Sequence, residues 1–594
     1  MFFRRIETNN YQKHLIMMVS ICPSKNFRGD STIFDERSLQ SGMIACTAHV
    51  YRQGKYAQAH VRGAFRFSFS LITSLSSLIS MNKLSHLTRS SLLLGGFFLL
   101  DKILAFGRSI LIARQFQLSP ELDAFNVANN LPDLLFALIS GGALAMAFIP
   151  LLTEYLTTKG RAAAWDLFSR VANVAFIATG SVAVIIAVFA GQIVRAQIGI
   201  APGFGPEQQQ LVVELMRLNL IGTIIFSISG LVMAGLQANQ HFLFPAMAPT
   251  LYNVGMIIGA LVFSPTEPYH LGPLTLPALG LGVHGLVYGV ILGAALHLAI
   301  QIPGLIMYKF RWTPSLNIRD SGLIEALKLM APRLLTMFGI QMMFIARDNL
   351  ASRLDQVGAV TSLTYGWMIM QVPETLLGTA IATALLPSLA EYAAKKDWRT
   401  FSETLEKALR VMLALAIPAA AVMAAGLRPL LAVAFDFGDD GTALLTLTSR
   451  IYLLTLAGYV VQETLARTFY ARKEPFMPLF GVLTRMVIYI VIGLLGVTVF
   501  RQAGAPVIAA AELSLTAEAI FLIVFLNKRL ERQVQVLPAI GKGLLAALLS
   551  GFVAYGLAVF LPGPGYLTAL AGMAAGGVLA VWLVWSEARL LFRL

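Results

Sequence analysis

A chain of 594 residues that is 57% hydrophobic and only 13% charged, with a mean hydropathy of +0.72, cannot cover itself with an ordinary polar surface, which takes roughly 25% charged residues. The formal net charge of +14 raises the question of a nucleic-acid partner, but the basic residues are spread over one end and alternate loops, which argues against one. The two cysteines, Cys22 and Cys46, give neither a metal-ligand spacing nor a disulfide framework.

Residues 1–87 stand apart: eleven Lys/Arg face four Asp/Glu there. The first long apolar run, Phe67–Met81, is broken by six serines and a threonine. No signal-peptide core lies near the start. The segment reads as a basic extension that is disordered, or as one preceding a working chain that begins at Met81. Apolar spans then follow at 90–114, 123–153, 167–190, 211–236, 244–264, 278–303, 322–346, 358–390, 402–426, 442–468, 476–500, 504–527, 537–560 and 565–586. Each crosses ~30 Å of hydrocarbon as a helix, which satisfies its own backbone. The predicted fold class is therefore all-α and polytopic, with about fourteen transmembrane helices.

Loop charge orients the spans. With the N-terminus inside, the inner loops and C-terminal tail hold fifteen Lys/Arg and the outer loops five. The positive-inside rule puts both termini in the cytoplasm. The chain also repeats. Leu131-Pro132-Asp133-Leu134-Leu135 and Ile149–Tyr155 return as Val372-Pro373-Glu374-Thr375-Leu376 and Leu386–Tyr392, and Gln237–Pro245 returns as Tyr470–Pro478. Six spans separate each pair, so the copies share one orientation and a pathway is expected between them. The division expected is an extension (1–87), two six-helix halves (88–310 and 311–530), and two extra helices (531–594).

An ionisable residue inside a span costs ~2.5–3.5 kcal/mol on insertion scales and therefore usually faces a cavity or a partner. Lys102, Arg108 and Arg114 fall in the first span, together with Asp101; Arg108 is the deepest, and its planar guanidinium suits a phosphate. Asp123 and Asp133 flank the start of the second span: Asp123 reads as a helix N-terminal acid or a binding residue, and Asp133, beside Pro132, as a cavity-facing one. Arg347 ends the seventh, beside Asp348, and is expected either at an external mouth or in an interfacial ion pair with Asp348. Glu463, Arg467 and Arg485 are expected to pair with one another near the inner face. Pro132, Gly141 and Gly142 in the second span, with Pro373 in the eighth, are candidate hinges. Histidines are scattered, and there is no HExxH, nucleophile elbow or phosphate-cradling glycine loop. No catalytic residue, metal site or cofactor is predicted, and the chain reads as a transporter rather than an enzyme.

The runs Leu104–Arg114, Asp123–Leu135, Ala147–Tyr155, Phe244–Asn253 and Leu385–Leu389 resemble the MviN/MurJ family of lipid II flippases over roughly residues 85–590. The resemblance implies the fold of the multidrug/oligosaccharidyl-lipid/polysaccharide (MOP) exporter superfamily, shared with MATE transporters. It also implies passage of undecaprenyl-diphosphate-linked peptidoglycan precursor from the inner to the outer leaflet of the bacterial cytoplasmic membrane. By position, Arg108 matches a family arginine placed to meet the diphosphate, and Asp123 matches the family's second-span acid. Phe136 and Met368 stand where the family carries basic residues. The expected mechanism is alternating access, with the headgroup entering a cationic cavity between spans 1 and 8 while the lipid tail stays in the membrane. Membrane lipids and a coupling ion are further candidate partners. The alternatives are a flippase for another lipid-linked oligosaccharide and a drug/cation antiporter.

Overall fold

The computed structural model describes residues 86–139, 143–272, 274–316, 321–474, 476–530 and 532–590. The expected extension lies outside the described residues up to position 85, as do Gly141 and Gly142.

The first helix, α1 (His86–Phe116), is followed by α2 (Pro120–Ala128), α3 (Asn130–Ile139) and α4 (Ala143–Thr158). Ser119 starts α2: its side chain accepts from Leu122 N at 3.2 Å, and Pro120 opens the helix where its missing N–H is not needed. Pro132 sits likewise in the first turn of α3. The second span breaks at Asn129, in the turn before Pro132, where a proline leaves a carbonyl without its helical donor. Then come α5 (Gly160–Arg195), α6 (Pro206–Ala238) and α7 (Leu243–Ile258), which runs into a π turn at Gly259–Phe263. A hairpin, β1 (Tyr269–Leu271) and β2 (Leu274–Leu276), pairs Tyr269 with Leu276. It leads to α8 (Val283–Ala299) and α9 (Ile302–Met307).

The next set comprises α10 (Ser321–Ser352), α11 (Ala359–Glu374), a π turn at Thr375–Thr379, α12 (Ala380–Lys395) and α13 (Trp398–Phe435). It continues through α14 (Gly438–Leu454), α15 (Leu456–Ala471), α16 (Phe476–Thr498), α17 (Ala505–Ala511) and α18 (Ser514–Asn527). Pro373 differs from Pro132: it lies inside α11, just before the π turn, where a lost backbone bond does break the helical ladder. Finally α19 (Leu537–Phe560), α20 (Gly565–Leu583) and the short α21 (Trp585–Ala588) pack as a hairpin against α13.

Ten helical segments of the described residues are long and apolar enough to cross a membrane, and α14 with α15, bent by 44°, makes an eleventh. The expected count of fourteen is not reached on length and composition. The other three expected spans coincide with α1, with the broken run α2–α4, and with α10. α1 and α10 carry several charges within their apolar lengths. Many apolar side chains stay exposed, Leu548, Phe552, Val578 and Trp582 among them, as a lipid-facing surface requires. One large buried cluster runs from Ile112 and Phe125 through Tyr452 and Tyr489 to Leu526, and a second gathers Phe148, Trp165, Phe168 and Leu231. Helices α7 and α8 cross backbone to backbone: a Cβ on Gly255 would lie 2.4 Å from Gly293 Cα, and one on Gly259 2.6 Å from Gly289 Cα. Small residues permit that approach in a membrane, where dispersion rather than water exclusion holds helices together.

Candidate functional site

Arg108 projects from α1 toward α7. Its Nη1 donates to Asn253 Oδ1 at 2.9 Å, and Asn253 Nδ2 in turn donates to Asp101 Oδ1 at 2.8 Å. A single buried amide thus orients the arginine and occupies the nearby carboxylate. The guanidinium carbon is 5.8 Å from the centre of the Tyr252 ring, and Nε is buried without a hydrogen-bond partner. Asp133 on α3, Tyr252 on α7 and Tyr365 on α11 all lie within its electrostatic reach, so the arginine faces the interior between α1, α3, α7 and α11. Among the described residues no carboxylate forms an ion pair with it. A guanidinium held by a neutral amide keeps most of its donors for an incoming anion.

Asp133 and Phe136 share the exposed face of α3, one turn apart. Phe136 meets Phe226 edge-on at 5.1 Å, and Phe226 meets Tyr252 at 5.0 Å. An aromatic wall therefore stands where a second basic side chain was expected. Met368, at the other position expected to be basic, is half-buried beside Trp367 on α11.

The remaining candidates do something else. Asp123 is 2% exposed and is not on a cavity wall. It crosses to the start of α11, accepting from Gly358 N at 2.9 Å, Thr361 N at 2.7 Å and Thr361 Oγ1 at 2.6 Å. A carboxylate placed there satisfies free backbone donors and the positive end of the helix dipole. Arg114, at the end of α1, donates through Nε and Nη2 to the carbonyls of Ala434 and Val433 at the end of α13, which ties it to that backbone. Arg347 is buried, contrary to an external mouth: Nε donates to Asp348 Oδ1 at 2.7 Å and Nη2 to Thr364 at 3.2 Å. Asn130 Nδ2 reaches the other oxygen of Asp348 at 2.8 Å. Lys102 is exposed on α1 and is not drawn into this cluster. Arg467 pairs with Glu463, as expected. Arg485 does not join them; it is held by Glu512 at 2.7 Å and faces Glu518 at 3.8 Å.

These contacts have a common location. Asp123, Arg114 and Asn130 are joined by Asn126 to Thr361, Gly203 N to Ser352, and Asn349 to Gln197 and Gly199. All tie α1–α3 and the α5–α6 loop to α10, α11 and α13 at one end of the bundle. The sequence reading missed Asn253, Tyr252, Tyr365 and Asn130. A lone asparagine inside an apolar span was the available signal, since an unsatisfied amide in hydrocarbon is costly.

Comparison with solved structures places this architecture. A lipid II flippase MurJ in an inward closed conformation superposes with a TM-score of 0.67 at 19% identity, over 83% of this chain and 99% of that one. An inward-facing multidrug resistance MATE transporter of the MOP superfamily gives 0.58 at 15% identity, over 72% and 94%. The chain thus shares with both one polytopic, all-helical fold. The sequence narrows it further. The family model for lipid II flippase MurJ matches residues 112–572. The lipid II flippase MurJ of Burkholderia cenocepacia is 32% identical over 425 residues, 69% of this chain and 79% of that protein. The probable lipid II flippase MurJ of Buchnera aphidicola subsp. Acyrthosiphon pisum is 26% identical over 448 residues, 75% and 83%. The chain belongs to the MurJ family.

Proposed function

We propose that this protein is a flippase that carries the undecaprenyl-diphosphate-linked peptidoglycan precursor, lipid II, from the inner to the outer leaflet of the bacterial cytoplasmic membrane. The observation that carries this reading is Arg108: an inward-facing guanidinium inside an apolar bundle, fixed by Asn253 and, among the described residues, in no ion pair. A diphosphate headgroup cannot cross hydrocarbon unaided, because an isolated charge loses its hydration there. A fixed guanidinium supplies the counter-charge and up to two parallel hydrogen bonds where water is scarce. Asp133 balances part of that charge and leaves the site cationic enough to release the headgroup as well as to take it.

The transport cycle follows from the bonded end of the bundle. With both termini in the cytoplasm, that end is the outer one, and the two halves (88–310 and 311–530) are closed toward the outside. Opening outward requires Asp123 to leave the start of α11 and Arg114 to leave the end of α13. The headgroup enters from the inner leaflet between α1 and α11–α12 while its polyprenyl tail remains in lipid. Pro373 and the π turn after it supply the bend in the eighth span. The extra helices (531–594), anchored to α13 by the Glu587–Arg410 pair, with Lys542 of α19 on the same carboxylate, extend the lipid-facing surface.

Phe136 and Met368 support a second reading, a lipid-linked oligosaccharide with a less highly charged head. Complementation separates the two. Expression in cells depleted of their peptidoglycan-precursor flippase is expected to restore growth, and Arg108→Ala at equal membrane level is expected to fail. Absence of rescue by the intact chain would select the other lipid-linked glycan.

A further inference from the structure

Two groups beside Arg108 have no use in a phosphate site. Asp133 and Phe136 are exposed on one face of α3, while Leu131, Leu134 and Leu135 on its other side are buried. Among the described residues no donor reaches the Asp133 carboxylate. A bare carboxylate repels a diphosphate, so its place within reach of the guanidinium calls for a different partner. Phe136 is 37% exposed and shares that inward face. It meets Phe226, Phe226 meets Tyr252, and the Tyr252 ring lies 5.8 Å from the Arg108 guanidinium carbon. The wall is backed as well: Phe226 leans on His297 at 5.2 Å, and His297 Nδ1 is bonded to Ser229 Oγ at 2.7 Å. A phenyl ring left open in a water-accessible chamber gains from being covered by an apolar face.

A pyranose has the matching chemistry. Its C–H bonds form an apolar, slightly positive patch that suits the negative face of an aromatic ring. Its hydroxyls need acceptors, and an ionised carboxylate offers two oxygens with about four lone-pair sites. In a glycosyl diphosphate lipid the first sugar follows the diphosphate directly, so a cation should adjoin a ring and a carboxylate. Arg108, Asp133 and Phe136 stand in that relation. Other occupants fit only part of it. A polyprenyl tail would cover the ring and leave Asp133 bare, and an organic cation would suit Asp133 and the ring but be repelled by Arg108.

We propose that Asp133 and Phe136 form a sugar subsite, in which the Phe136 ring stacks on the first pyranose of a lipid-linked glycan and Asp133 accepts from its hydroxyls, with Arg108 on the adjoining diphosphate. The inference rests on the flippase reading and adds to it the place where the glycan is recognised. Its consequence is selectivity: a diphosphate lipid without a sugar fills only part of the site.

The test uses the full chain, purified in lipid nanodiscs, and compares binding of undecaprenyl diphosphate with that of the same lipid bearing one N-acetylglucosamine. The parent is expected to bind the sugar-bearing lipid about tenfold more tightly. Phe136→Leu, apolar but without a ring face, is expected to bring that ratio near one, and Phe136→Trp to keep it. Asp133→Asn is expected to narrow the ratio and to bind undecaprenyl diphosphate more tightly, since a like charge is gone; a damaged fold would weaken both lipids instead. Equal affinities in the parent overturn the subsite and leave the flippase reading standing, and so does an unchanged ratio in Phe136→Leu or Asp133→Asn. A parent that binds neither lipid sinks the flippase reading and the subsite with it. If Phe136→Leu does not fold, saturation transfer in the parent decides: magnetisation passing from aromatic protons of the protein to the sugar C–H protons supports the subsite, and its absence overturns it.

Discussion

Replacing Asp123 with alanine should release the bonded end of the bundle. The wild-type carboxylate accepts three hydrogen bonds from the first turn of α11 and its approach, at 2.6, 2.7 and 2.9 Å, and is almost fully buried. Bonds to a charged acceptor are worth about 1.5–3 kcal/mol each when the alternative is water. On opening, the freed donors of α11 regain water, so the closed state loses about 3 kcal/mol relative to the open one. That is roughly a hundredfold shift of the conformational equilibrium, at 1.4 kcal/mol per decade. Leu118 packs directly on Gly358, so labels on either side of this junction report its separation. With Cys22 and Cys46 replaced by serine, spin labels at Glu121→Cys and Val357→Cys are expected to give one short distance in the parent. Asp123→Ala is expected to add a long-distance population that dominates. An unchanged distance distribution in a well-folded Asp123→Ala protein would refute the reasoning that this carboxylate latches the two halves.

Three further outcomes follow from the same geometry. Asn253→Asp sets a carboxylate against the Arg108 guanidinium and beside Asp101, so flipping should fall at least about tenfold while Asn253→Gln falls less; a fluorescent lipid-flipping assay reads both. Burial by itself would raise the Glu587 carboxyl, but hydrogen bonds from Arg410 and Lys542 outweigh it and hold Glu587 below the ordinary carboxylate range. Its contribution to stability is therefore present above the unfolded value and lost as pH falls through the lower folded one. Thermal melts should show a loss over that acid window that Glu587→Gln lacks. Arg485→Met leaves Glu512 and Glu518 facing each other without a cation, and should cost about 3–5 kcal/mol of stability; the Arg485→Met/Glu512→Leu double variant should recover much of it in a denaturation cycle.

The helical membrane architecture was legible because its signal is long-range and redundant: apolar runs of span length recur along the chain. Arg108 was legible for a related reason, since a guanidinium deep in an apolar run must find a partner or a cavity. The partners were not legible. Asn253 lies 145 residues away from Arg108, and nothing local marks the amide that fixes it. Asp123 and Arg347 looked like binding residues because a charge in a span signals either a ligand or a protein contact. Only the distant start of α11 and the adjacent Asp348 decide between those. Pro132 read as a hinge because a proline in an apolar run suggests a bend, and the second span does break at Asn129, in the turn before it. The π turn after Pro373 has no sequence signal of its own.

The most direct test of the central claim is leaflet exchange of fluorescent lipid II by the purified chain in vesicles, read by an external quencher. The account predicts exchange by the parent protein, its loss in Arg108→Ala with unchanged fold, and no exchange of neutral lipids by either. Equal exchange of lipid II by the parent and by Arg108→Ala would contradict it.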